Sequence, residues 1–142
     1  MGELIEVMVA GVYLFQDESG PTELREKFSV ALAEKGGARR LSIWIGPAEA
    51  FAISSKLGGE VPIRPLTIDL ASQLIRELGG RLSSVVITSH RDNVFYARLV
   101  VDAHGKRLDV DARPSDAIAL ALRLDAPILV VNDVFETGTA AA

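Results

Sequence analysis

The sequence predicts an α+β fold: a single domain with a mostly antiparallel or mixed sheet of about seven strands, packed with three helices. Three observations point there. Apolar runs rich in Val, Leu, Ile and aromatics are joined by hairpin-length connections, helix-period segments fall in two clusters, and glycine or proline marks most junctions. The chain of 142 residues has room for one core, and 49% hydrophobic with 24% charged residues is the balance of a folded protein.

Residues 4–15 (LIEVMVAGVYLF) form the first predicted strand. The polar stretch 16–26, with Gly20-Pro21 inside it, is an excursion or a short helical turn. Residues 28–34 and 39–45 are two apolar runs around Lys35-Gly36-Gly37-Ala38, which suits a β-hairpin because glycine accepts positive φ. Pro47 fits the first position of a helix that runs to about Leu57 and stops at Gly58-Gly59. Residues 60–65 hold two prolines and form a loop. Thr67 is placed to cap a second helix, along which Leu70, Leu74 and Leu78 recur every fourth residue with Ala71 and Ile75 beside them. Gly79-Gly80 ends it.

Strands follow at 82–90, 93–103 and 106–112, with two-residue turns at Asp92-Asn93 and His104-Gly105. The segment 115–124 (SDAIALALRL) is apolar almost all round, the pattern of a buried helix. A last strand at 127–131 closes the core. On this reading the domain spans 1–135, and 136–142 (ETGTAAA) is a disordered tail.

Composition excludes several functions. With no cysteine there is no disulfide framework, thiol nucleophile or Cys-rich zinc site. A net charge of −4 does not draw the molecule to nucleic acid or anionic membranes, so nucleic acid binding should be weak and salt-dependent. Mean hydropathy of +0.26 in so short a chain favours a homodimer or higher homo-oligomer. No stretch reaches the ~18 apolar residues of a membrane span. The acidic start lacks a secretory signal pattern, so no membrane contact and a cytoplasmic location are expected.

Candidate chemistry gathers on the hairpin of residues 93–113. A turn at His104-Gly105 sets Arg98 opposite Asp111 and Asp102 opposite Arg107, and leaves Asp109 facing Val100 without a cross-strand partner. Asp109 and Asp111 then point the same way, roughly 6–7 Å apart at the backbone, a spacing that lets two carboxylates hold one Mg²⁺ or Mn²⁺ ion. Asp116 follows within a turn of the next helix, and Arg98, Arg107 and Arg113 could clamp phosphate oxygens. The same residues have a plainer use. Arg–Asp pairs across a hairpin stabilise exposed strands by about 0.2–1 kcal/mol each, and Asp116 suits a helix N-terminus.

Other signals are weaker. His90 and His104 fall at strand ends or turns, where His104-Gly105 needs only tolerance of positive φ. Ser54-Ser55, Ser83-Ser84 and Ser115 have no His–Asp arrangement beside them. The paired glycines at 36–37, 58–59 and 79–80 are turns or helix ends rather than a phosphate cradle. Trp44, between Ile43 and Ile45, is expected to be packing.

Two blocks carry a resemblance: LSIWIGPAEAFAI (41–53) and VDARPSDAIALALRLDAPILV (110–130). With PIRPLTIDL (62–70) and VVITSHRDNVFYARLVV (85–101) between them, they resemble the signature blocks of the bifunctional nuclease domain family, in order over about residues 4–135. The sequence departs from that pattern at the long, charged link 16–27, at Leu41-Ser42 where Leu-Pro is usual, and at Asp92-Asn93 where Asp-Gly is usual. Glu49, Asp69, Asp92, Arg98, Asp109, Asp111, Arg113, Ser115 and Asp116 are positions the family pattern shares. The resemblance implies a nuclease acting on RNA and DNA. In a metal-assisted form of that chemistry, Asp109 and Asp111 with Glu49 would bind an Mg or Mn ion, and Asp116, Arg98 and Arg113 would complete the catalytic group. The competing reading is a non-catalytic oligomeric binding or regulatory module.

Overall fold

The computed structural model describes residues 2–16, 19–21 and 26–140. Much of the polar excursion expected over 16–26 lies outside the described residues, as do 141–142. The strands are β1 (Leu4–Gln16), β2 (Glu26–Glu34), β3 (Arg40–Ile45), β4 (Gly80–Arg91), β5 (Val94–Ala103), β6 (Lys106–Ala112) and β7 (Ile128–Val131). The helices are α1 (Pro47–Leu57), α2 (Thr67–Glu77), α3 (Pro114–Leu124) and α4 (Asn132–Ala140). The α+β prediction holds, with four helices rather than three.

One sheet of seven strands runs β3-β2-β1-β7-β4-β5-β6. Every neighbouring pair is antiparallel except β4 with β7, which are parallel because α3 carries the chain back between β6 and β7. The hairpin turns follow the sequence closely. Asp92 (φ 53°), Asn93 (φ 63°), His104 (φ 51°) and Gly105 (φ 76°) are all left-handed, the conformation that two-residue turns with the natural strand twist require. The His104-Gly105 turn fixes the register of β5 on β6, with Arg98 opposite Asp111, Asp102 opposite Arg107 and Asp109 opposite Val100.

The core is built from Val30, Leu32, Leu41, Ile43, Val85, Ile87, Ala97 and Val130 on the strands, and from Ile53 and Ile118 on α1 and α3. α3 is buried along most of its length, as its apolar sequence requires, and packs against α1, α2, β4 and β5.

Two helical expectations need correction. Leu66, not Thr67, is the N-cap of α2, and the Asp69 carboxylate accepts its backbone N–H at 2.8 Å. The acid at the third helical position thus secures the N-cap's own N–H, the acidic half of a capping box. Moreover, the packed face of α2 is Ile68, Ala71, Ser72 and Ile75, an i, i+3, i+4, i+7 stripe, while Leu70, Leu74 and Leu78 are exposed.

The third correction concerns the C-terminus. The segment from 136 onward is expected to fray, yet α4 continues to Ala140. Val134 and Phe135 are fully inside the core, with the Arg39 guanidinium 4.5 Å above the Phe135 ring. Gly138 allows the close approach: a side chain there would collide with Leu41 of β3 and press on Phe95 of β5. Since β3 and β5 lie far apart in the strand order, the sheet curls to bring β3 near the β4–β5 turn. That curl creates the concave surfaces described next.

Candidate functional site

Two arginines each gather two carboxylates, in very different settings. The first is on the hairpin face. Arg98 donates from Nε to Asp109 Oδ1 at 2.7 Å and from Nη2 to the Asp109 backbone carbonyl at 3.0 Å. Asp111, directly opposite, is left at 3.9 Å from Nη1. Asp109 therefore does have a partner, contrary to the expectation from register, because an arginine can reach its diagonal neighbour and grip two oxygens of one residue. Beside it, Arg107 forms two bonds to Asp102, at 2.9 and 3.1 Å. The Arg107 guanidinium holds the Asp102 carboxyl below its usual range. This face is open. The Asp109 and Asp111 side chains are 64% and 78% exposed, and neither lines any of the principal cavities.

The second cluster lies where α1 and α3 begin. Both helices start with the same device: proline at the first position and an acid two residues later, Pro47 with Glu49 and Pro114 with Asp116. Arg113, the N-cap of α3, donates to Asp116 from Nε at 2.9 Å and from Nη2 at 3.2 Å, and Nη2 lies 3.5 Å from Glu49 Oε2. One guanidinium nitrogen thus spans both carboxylates. Asp116 first and Glu49 second keep the Arg113 proton more firmly bound than usual. Gly46 contributes by omission, since a Cβ there would collide with the Glu49 carboxylate. Packing of α1 on α3 places this cluster between two cavities. One, of about 300 Å³, is lined by Trp44, Gly46, Asn93, Phe95 and Ser115 together with Glu49 and Arg113. The other, of about 570 Å³, runs among α1, α2 and α3 and is lined by Phe51, Ile68, Ala71, Leu99 and Leu120 together with Glu49, Arg113 and Asp116.

The predicted site residues therefore divide. Glu49, Arg113 and Asp116 converge; Arg98, Asp109 and Asp111 converge separately. The expected ligand set of Asp109, Asp111 and Glu49 does not come together, and among the described residues no three Asp, Glu or His side chains are grouped to hold a metal ion.

Residues 30–142 match the bifunctional nuclease domain. The chain belongs to that family. Two relatives, uncharacterized proteins from Mycobacterium tuberculosis strains CDC 1551 / Oshkosh and ATCC 25618 / H37Rv, are each 42% identical over 129 residues, covering 91% of this chain and 73% of their own length. Within the bifunctional nuclease domain, the shared positions separate by environment. Asp69 is structural: it caps α2 and receives the Nε of Arg123 at 2.6 Å, from a side chain only 6% exposed. That guanidinium, with the Leu66 N–H, holds the Asp69 carboxyl below its ordinary range. Asp92 serves the β4–β5 turn.

Sequence reasoning missed Trp44. It is not packing: it is 61% exposed, with Phe15 edge-on at 5.4 Å. Alternation along β3 carried the signal, since Leu41 and Ile43 point inward while Ser42 and Trp44 occupy the other face. His104 does take its expected turn conformation, with Nε2 3.1 Å from the Leu78 carbonyl. His90 stacks on Phe95 with ring centroids 4.1 Å apart. Among the described residues no helix is long and apolar enough to cross a membrane.

Proposed function

We propose that this chain is a nuclease that hydrolyses phosphodiester bonds of RNA and DNA, and that it does so at the Glu49–Arg113–Asp116 junction rather than on the hairpin face. One observation carries the reading: a guanidinium, two carboxylates and two helix N-termini meet on the shared wall of two cavities. The N-terminal peptide groups of α1 and α3 present partial positive charge, and Arg113 adds a planar donor set suited to two phosphate oxygens. Substrate phosphate would draw Arg113 partly away from its carboxylates, leaving Glu49 or Asp116 free to orient and deprotonate water.

The residues fit a hard divalent ion of the Mg²⁺ or Mn²⁺ type, which characteristically takes one or two carboxylates and completes its shell with phosphate and water. One of Glu49 and Asp116 would hold it while the other stays free as the base, and it would supply a more acidic water and charge neutralisation at the phosphate. Substrate binding is weak and salt-dependent because the protein carries net −4. The setting proposed is the cytoplasm.

A specific observation favours the other reading, a non-catalytic homo-oligomeric module. Phe51, Leu70, Leu74, Leu108 and Val110 are exposed, and the cavity among α1, α2 and α3 is mostly apolar, as expected of surfaces covered by another copy. A homodimer or larger assembly is compatible with both readings. Labelled single-stranded RNA and DNA incubated with Mg²⁺, with Mn²⁺ and with EDTA distinguishes them. The nuclease reading expects metal-dependent cleavage of both strands. Intact substrate under every condition, from folded protein, supports the module.

A further inference from the structure

We propose that Trp44 and the His90–Phe95 pair form a stacking subsite for unpaired nucleobases, alongside the Arg113 junction; the inference rests on the nuclease reading. Trp44 is the only tryptophan of the chain, and it stands 61% exposed on an edge strand. A tryptophan seldom gives so much of its surface to water without a ligand or partner to cover it. Its surroundings are concave on several sides. The indole borders the cavity that holds Arg113 and Glu49, and also a trough of about 540 Å³ whose walls include Phe15, His90 and Phe95. Phe95 and Asn93 border both, so the aromatic trough adjoins the cavity of the Arg113 junction.

The chemistry of the trough selects its occupant. Phe15 and Trp44 meet at 74° between planes, a T-shaped contact rather than a parallel stack. His90 and Phe95 are stacked at 26° and present a second flat surface. The same trough is lined by short exposed polar residues, Ser42 and Asn93, able to meet the donors and acceptors of a base edge. An aliphatic peptide would leave those groups without partners, whereas a planar heterocycle uses both the faces and the polar edge. With the Arg113 cation in the adjoining cavity, a single strand can lay bases on the aromatics while its backbone reaches the junction. Duplex bases are already stacked and cannot enter. Single strands are therefore the preferred substrate.

Trp44 is its own reporter. Wild-type protein is titrated in EDTA with short oligothymidylate, with an abasic strand of the same length and with duplex DNA, while indole fluorescence is followed. Binding to each is measured in parallel by anisotropy of a labelled strand, for wild type, Trp44→Ala and Trp44→Phe. The expected result is saturable quenching by oligothymidylate and little by the other two, about 10-fold weaker binding in Trp44→Ala and near-complete retention in Trp44→Phe. Equal quenching by the abasic strand overturns the subsite, because phosphate alone then suffices. So does unchanged fluorescence with a strand that the protein goes on to cleave in Mg²⁺, an outcome that leaves the nuclease reading standing. Loss of an oligomer in Trp44→Ala, with strand affinity intact, overturns it in favour of a second copy of the chain. Absence of both binding and cleavage overturns the subsite and the nuclease reading together.

Discussion

Arg98 and Arg113 hold the same chemical groups, two carboxylates apiece, and their settings give them different capacities. Arg98 is on an outer hairpin, where Asp109 and Asp111 face water and an ion pair contributes ~0–1 kcal/mol to stability. Arg113 is at the meeting of two helix starts, with cavities on both sides. Strand spacing alone made Asp109 and Asp111 look like ligands. Chemistry also needs a concave wall that lowers the dielectric and orients a substrate, and only the second cluster has one. A third arginine calibrates the pair: Arg123 is buried against Asp69 and joins α2 to α3.

These three settings lead to graded expectations. The largest loss of stability falls on Arg123→Ala, which strands Asp69 in a partly buried position; denaturant unfolding should show about 2–3 kcal/mol, less than for a fully buried pair because Asp69 keeps some solvent. If Arg123→Ala is no worse than Arg98→Ala, burial is not what separates the clusters. For activity the largest effect falls on Arg113→Ala, where about 10²-fold slower cleavage is expected at nearly unchanged stability.

The pH dependence of folding follows from Asp69. Its folded carboxyl titrates below the ordinary value of 3.8, so its contribution is complete above that pH and is lost as pH falls through the lowered value. Asp69→Asn should accordingly flatten the acid limb of a stability-versus-pH curve. The smallest effect belongs to Asp109→Ala/Asp111→Ala, expected to shift stability by less than about 1 kcal/mol and cleavage by less than about threefold.

Much of the fold was legible because its punctuation is chemical. Pro47 and Pro114 announce helix starts, and Asp92-Asn93 and His104-Gly105 announce the turns that set the β4–β5 and β5–β6 registers. The helix α4 was not legible, since Thr137, Gly138 and Thr139 are poor helix formers and what holds the helix is Val134 and Phe135 packed in the core. On α2 the leucine repeat drew attention from the neighbouring stripe of smaller residues that does the packing. At the candidate site, Glu49 and Arg113 were each visible in the sequence. Their meeting depends on how α1 packs against α3, a contact between segments far apart in the chain.

The central claim is that the helix junction, not the hairpin, carries the chemistry. The most direct test runs wild type, Arg113→Ala and Asp109→Ala/Asp111→Ala side by side on one labelled single-stranded RNA in Mg²⁺, at equal folded fraction. The account expects cleavage by wild type and by the double variant at similar rates, with Arg113→Ala about 10²-fold slower. Cleavage that survives in Arg113→Ala and disappears in the double variant would contradict it, and would return the site to the hairpin face.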